Sequence, residues 1–215
     1  MINLEVEATN IASIIDKPLS FPLKRRIIQS IITARAYLLR QSIVRNRNIP
    51  SECMQTFATK IEKVKPFSIY YNSAYLNTRR TVNTIATPLK LDFDTPFISV
   101  TAGVAGSINF AHSDLNSLQF NVNTKFGGKV GRYIYSNERV YVYHNHPQFM
   151  AAPTISIKGV FENPLDIVDY SGQFRYSEEN FPMNMDMMTT IKDMIRRGEL
   201  VIPPDNKEVT IDGDR

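Results

Sequence analysis

The chain has 215 residues, of which 43% are apolar and 21% charged, with a formal charge of +4. A chain of this size and balance can bury a real core, and its nine glycines and twelve prolines exclude collagen-like and low-complexity sequence. Cys53 is the one cysteine, so an intramolecular disulfide and a multi-cysteine zinc or iron–sulfur site are excluded, and a reducing compartment fits.

The first residues, Met1–Glu7, are acidic at once and have no basic stretch leading into an apolar run, so no secretory leader is expected. Residues 8–16 predict a short helix. Pro18 and Pro22 then break the chain, and Pro22 suits the first turn of the next helix, where its missing N–H is not needed. From Leu23 to about Arg45 the pattern is helical. Ile27, Ile31, Ala34 and Leu38 form one apolar row, with Ile28, Ile32, Leu39 and Ile43 beside it. A further helix is predicted after Pro50, capped by Ser51, with Met54, Phe57, Ala58 and Ile61 facing inward and Pro66 at its end.

Beyond Pro66, β-branched and aromatic residues dominate. Arg80–Pro88, Phe97–Ala102, Leu118–Thr124, Val130–Tyr135, Arg139–His144 and Thr154–Phe161 read as strands, with Ser136-Asn137-Glu138 as a hairpin turn. The charge-free stretch Thr95–Ser113 is too polar to span a membrane and reads as strand and turn. Short strands at this spacing predict an antiparallel sandwich or barrel. Helical pattern returns near Phe181-Pro182, where Met187, Met188, Ile191, Met194 and Ile195 share a face and Gly198 marks the stop. The predicted fold is α+β. A helical domain is built from residues 1–66 and a C-terminal helix in 177–204, a β-rich domain is inserted at 67–176, and a polar tail follows at 205–215. The last helix should pack on the first two, because a helix of its length is marginal alone in water.

Three patterns invite a chemical reading. His144-Asn145-His146-Pro147 follows a strand and resembles the zinc motif of JAMM-type metalloproteases, where a Ser and a ligand Asp follow. Here Thr154 takes the Ser position and Ile157 the Asp position. Isoleucine cannot bind zinc, and the chemistry needs three ligands and an open position. A degenerate JAMM-like zinc hydrolase around His144 and His146 stands as one alternative. Gly127–Arg132 has Asn123 and Val130 where a Walker phosphate loop needs Gly and Ser or Thr. The second alternative is a nucleic-acid-binding protein using the basic helix 23–47. Arg25, Arg26, Arg35, Arg40, Arg45 and Arg47 fall in a run with no acid between Lys17 and Pro50. Single-strand binders interleave aromatics with their cations, and here Tyr37 stands alone.

The opposite charge comes later. Glu162, Asp166, Asp169, Glu178, Glu179 and Asp186 share Val160–Asp186 with a single base, Arg175. A basic end and an acidic stretch suit head-to-tail pairing of copies, the heterologous contact that closes rings. Five methionines fall between Met183 and Met194. They cannot all point one way, so some, with Met185 as the interface candidate, should be exposed unless a neighbour covers them.

The stretch Leu23–Gln41 resembles the N-terminal helix of virion structural proteins of short-tailed, crAss-like bacteriophages. Ile157–Pro164 resembles their later strand-to-loop segment, and the Met-rich helix after Phe181-Pro182 is similar as well. The resemblance implies a tail adaptor or ring protein of the head-to-tail connector, a structural subunit bridging portal and tail around the DNA channel. It implies twelve copies in a ring, with the portal and other tail proteins as partners. DNA would pass without sequence-specific binding, and no membrane, cofactor, metal or catalytic residue is implied. The location would be the virion tail, after assembly in the host cytoplasm. On this reading the six arginines face acidic protein surface, and Glu162, Asp166, Asp169 and Met185 are further contact residues. The Asp169–Asn180 loop and the Asp205–Arg215 tail would be ordered by neighbouring chains.

Overall fold

A computed structural model describes residues 1–15, 20–45, 47–73, 75, 77–91, 94–103, 106–122, 130–145, 149 and 152–202. Helix α1 (Leu4–Ile14) begins where the Asn3 side chain accepts hydrogen bonds from the Glu5 and Val6 N–H groups, at 3.0 and 3.1 Å. Helix α2 (Phe21–Val44) starts under a Ser20 cap with Pro22 in its first turn. Helix α2 lies close to where the periodicity puts it, whereas α1 begins four residues before the predicted 8–16.

The segment after Pro50 is not a helix. A short 3-10 turn (Ser51–Cys53) leads into strand β1 (Gln55–Lys63), in which Gln55, Phe57, Thr59 and Ile61 are buried and Thr56, Lys60 and Glu62 exposed. Phe57 and Ile61 are four residues apart, a spacing that shares one face in a helix and in a strand alike. The strict alternation of their neighbours belongs to a strand. Strands β2 (Asn77–Thr81), β3 (Ser99–Ala102) and β4 (Ile108–His112) follow, then helix α3 (Leu115–Val122) and strands β5 (Gly131–Ser136), β6 (Arg139–His144) and β7 (Thr154–Gly159). They close a barrel in the order β1-β2-β6-β5-β4-β3-β7. Only the start of the predicted Arg80–Pro88 strand enters the sheet, while Pro88 makes an isolated bridge to Phe161.

The predicted strand Leu118–Thr124 is instead helical as far as Val122, and its last residues lie outside the described set. Asp114 starts α3 by accepting the Ser117 N–H at 2.7 Å. The helix matters to the topology, because β4 and β5 pair in parallel and a parallel pair needs a crossover. The barrel is therefore mixed, where the sequence predicted antiparallel strands throughout. The β5–β6 hairpin forms as predicted. Asn137 and Glu138 adopt φ of 49° and 57°, as a two-residue turn between twisted strands requires.

Phe57, Val100, Phe110, Val142, Ile155 and Ile157 fill the barrel interior. At Gly131, a Cβ would lie 2.7 Å from His144 Cδ2 and 2.8 Å from Phe110 Cδ1. Gly131→Ala is expected to overpack this layer and cost about 1–3 kcal/mol. Thermal unfolding checks it, and an unchanged midpoint would mean that the two rings yield without strain.

Helix α4 (Met185–Arg196) opens with Asn184 accepting the Met187 N–H at 3.1 Å and closes against Gly198, whose φ is +71°. Its buried face, Met188, Ile191 and Ile195, packs with Leu4 and Ile11 of α1 and Ile27 and Ile31 of α2. Ion pairs tie the three helices together: Lys24 to Glu5 and Lys192 to Glu7, both at 2.6 Å. The last helix thus packs on the first two. A smaller cluster of Leu39, Cys53, Leu89 and Val160 joins α2 to the barrel.

Candidate assembly surface

Helix α2 distributes its arginines among different environments. Arg35 is fully buried. Its Nε donates to the Pro182 carbonyl at 3.0 Å, Nη1 to the Phe161 carbonyl at 2.8 Å and Nη2 to the Cys53 carbonyl at 3.2 Å. The guanidinium also lies 5.5 Å from the centre of the Phe181 ring. Gln55 extends the network, donating to the Cys53 carbonyl at 2.6 Å and accepting the Phe161 N–H at 3.2 Å. The three carbonyls belong to the turn before β1, the exit of β7 and the approach to α4. Burial pulls the Arg35 pKa down to about 10, so it stays charged near neutrality. Arg35 is an internal strut and cannot face a neighbouring chain. The sequence holds the clue, since position 35 is four residues from both Ile31 and Leu39 and so lies inside the apolar stripe.

Arg25 and Arg40 find their carboxylates within the same chain, at Glu178 and Glu162. Part of the acidic stretch therefore meets the basic helix internally. Both arginines remain largely exposed, so each pair contributes little. Arg40→Gln is expected to change stability by about 0–1 kcal/mol, and by less in high salt. Chemical denaturation at two salt concentrations checks this, and a loss of several kcal/mol would contradict it. Arg26 is half-buried, with its Nε donating to the Pro22 carbonyl at 3.3 Å.

Arg45 and Arg47 line a groove of about 270 Å³ between the end of α2, the segment after it and the start of α4, together with Leu38, Asp186 and Met187. Neither arginine forms an ion pair among the described residues. Met185, at the start of α4, is exposed as expected. Asp166 is exposed as well. Asp169 sits in a tight hairpin, where its carboxylate accepts the Ser171 hydroxyl and N–H at 2.5 and 2.7 Å. The Ser171 hydroxyl contact, ahead of the backbone contacts, holds its pKa below the usual carboxylate value. The beginning of the Asp169–Asn180 loop is therefore held by its own chain. The Asp205–Arg215 tail lies outside the described residues.

The catalytic alternatives gain little from the geometry. His144 is buried, its ring 5.9 Å from those of Phe110 and Phe149, and Ile157 is in the barrel core. His146 lies outside the described residues. Burial pushes the Cys53 thiol pKa up, away from a reactive thiolate. Among the described residues, no group of three or more His, Cys, Asp or Glu is placed to hold a metal, and no helix is long and apolar enough to cross a membrane.

A family model described as phage tail ring protein 2 matches residues 10–211. The chain belongs to this family of crAss-like phage tail ring proteins. No curated protein matches it. The family match runs from within α1 to beyond the end of α4, so the ring protein is matched across its helices and its barrel together. Membership makes it a structural component of the virion tail, assembling as a ring with other tail proteins. For a ring protein the functional surface is where chains meet. Arg35, bonded to the carbonyls of Cys53, Phe161 and Pro182, holds the helices and the barrel that carry that surface in a fixed relation.

Proposed function

We propose that this ring protein is a non-enzymatic subunit of the head-to-tail connector, bridging portal and tail around the DNA channel. The family match over residues 10–211 is the observation that carries the reading. The buried Arg35 network supports it, because a connector subunit must hold its helices and its barrel together while neighbours pull on both. The pairing of Arg25 and Arg40 with acids of the same chain also supports it. Phosphate binding scales with the number of unneutralised cations, so a partly neutralised helix suits DNA that passes without sequence-specific contact.

The reading takes twelve copies per ring, with the portal and other tail proteins as neighbours and assembly in the host cytoplasm. Arg26, Arg45, Arg47, Asp166, Asp169 and Met185 remain its candidate contact residues. A reconstruction of the intact particle tests it. Density for this chain is expected as a ring of twelve between portal and tail. A ring placed away from the portal would remove the bridging role and leave the tail-ring membership intact.

A further inference from the structure

We infer that neighbouring copies in the ring are joined by the 166–174 hairpin of one copy, seated in a cleft on the barrel flank of the next. The inference rests on the ring reading above and names the contact that closes the ring.

The hairpin is a rigid knob. Val168 and Phe174 form a β-bridge, the Asp169 N–H donates to the Gln173 carbonyl at 2.9 Å, and the Gly172 N–H donates to the Asp169 carbonyl at 3.1 Å. Gly172 has φ +87°, which favours glycine there. The base is pinned where the Arg175 N–H donates to the carbonyl of Ile167, a residue of the barrel core. Despite this order the knob presents two aromatics to water, with Phe174 71% and Tyr170 53% exposed. Such rings offer contact area at low entropic cost, because their backbone is already fixed. The carboxylate of Asp166 stands exposed at the base.

The cleft is equally preformed. Tyr70 stacks on Tyr141 of β6 at 4.0 Å between ring centres, and its hydroxyl meets the Ser136 hydroxyl of β5 at 2.8 Å. This holds the segment after β1 over the outer face of the barrel. Between that segment and α3 lies a cleft of about 570 Å³, lined by Ile69, Tyr71, Leu115 and Leu118 among others. Phe67, 99% exposed, and Ile69, 76% exposed, project from the same segment. Lys63 and Lys65 lead into it, and no acidic residue occurs from Lys63 to Leu91. Asp114, at the start of α3, is turned to the Ser117 N–H.

The two patches complement each other, aromatic knob to apolar cleft and anion to cation. Neither complements itself, so their union is heterologous, the geometry that closes a ring. Their placement agrees. Tyr176, just past the knob, lies against the backbone of Thr56 at the start of β1, and β1 neighbours β7. The cleft covers β6 and β5, which the strand order puts across the barrel from that pair. Donor and acceptor thus face away from each other, as head-to-tail copies require.

Cross-linking the full-length protein in assembled rings tests this. An Ile69→Cys chain mixed with a Tyr170→Cys chain, treated with a short bismaleimide, is expected to give a linked dimer that neither chain gives alone. Background is low because Cys53 is buried. Phe67→Asp is expected to keep the monomer's thermal midpoint and weaken ring formation by about thirtyfold, as loss of an aromatic anchor does. Lys65→Glu should also weaken it, with Asp166→Lys restoring assembly. If wild-type rings form without a 69-to-170 link and Phe67→Asp assembles normally, this contact is wrong and the ring reading stands. A link from 69 to 69 would also overturn it, by making the contact isologous. A folded wild-type chain that joins no ring in the particle would overturn the ring reading, and this contact with it.

Discussion

Arg35→Leu is expected to lower the stability of the free chain by about 2 kcal/mol, and two opposing terms set that figure. The substitution strips a donor from each of three carbonyls; that of Cys53 keeps Gln55 as its donor, so those of Phe161 and Pro182 are left unpaired, at about 1–3 kcal/mol each. Against this, it removes a buried cation whose pKa burial pulls down to about 10, a desolvation cost of roughly 3 kcal/mol. The two orphaned carbonyls win together with the lost guanidinium contact to the Phe181 ring, which leucine replaces with poorer packing and no hydrogen bond. For a chain of this size the loss corresponds to a fall in thermal midpoint of about 4–8 °C. Arg35→Lys should fall between the two, because one ammonium cannot reach all three carbonyls in the plane that the guanidinium spans. The deficit should be the same between about pH 6 and pH 8. Arg35 is protonated in both the folded and the unfolded chain there, and its lowered folded value favours stability only as pH rises past about 10. Calorimetry of the three proteins checks the series, and an Arg35→Leu midpoint close to the parent's would remove the network from the account of this fold.

What was legible in the sequence was what one face of one element decides. The α2 stripe is long enough that tertiary packing could only agree with it, and the Met-rich face of α4 repeats that pattern over a shorter span. The β5–β6 hairpin was legible because two alternating runs meet at a short polar turn. Strand β1 was misread because Phe57 and Ile61 satisfy both periods, and a lone strand cannot settle which until β2 and β7 pair with it. Helix α3 was misread because its eight residues carry little periodicity, although Asp114 signals a cap. The six arginines were grouped by charge, yet their fates follow from angular position on the helix. Arg35 falls within the stripe, Arg25 and Arg40 reach acids that the chain brings back from more than a hundred residues away, and Arg45 and Arg47 lie past the packed part. The cleft beside α3 had no linear signature at all, since its walls come from two segments separated by several strands.

Ile191→Asp is expected to have the larger effect on the helical part of the chain. Ile191 is fully buried among side chains of α1 and α2. Helices α1 and α4 have 11 and 12 residues, too short to persist in water without that packing. An aspartate at position 191 loses the apolar contacts and must either bury a charge or take up a proton. The neighbouring cation, Lys192, is already committed to Glu7 at 2.6 Å. The cost is about 3 kcal/mol or more, the range of a buried unpaired charge. Ile191→Val removes one methylene from the same site and should cost only about 0.5–1.5 kcal/mol. The aspartate variant should therefore lose far-UV helical signal as α1 and α4 undock, and the valine variant should keep it. The barrel has its own core of Phe57, Phe110, Val142 and Ile157, so its near-UV aromatic signal should persist after the helices loosen. Far- and near-UV circular dichroism through a thermal ramp separates the two parts. If the aspartate variant melts like the parent, α4 does not hold the helical core together, and the packing of the last helix on the first two contributes little to the fold.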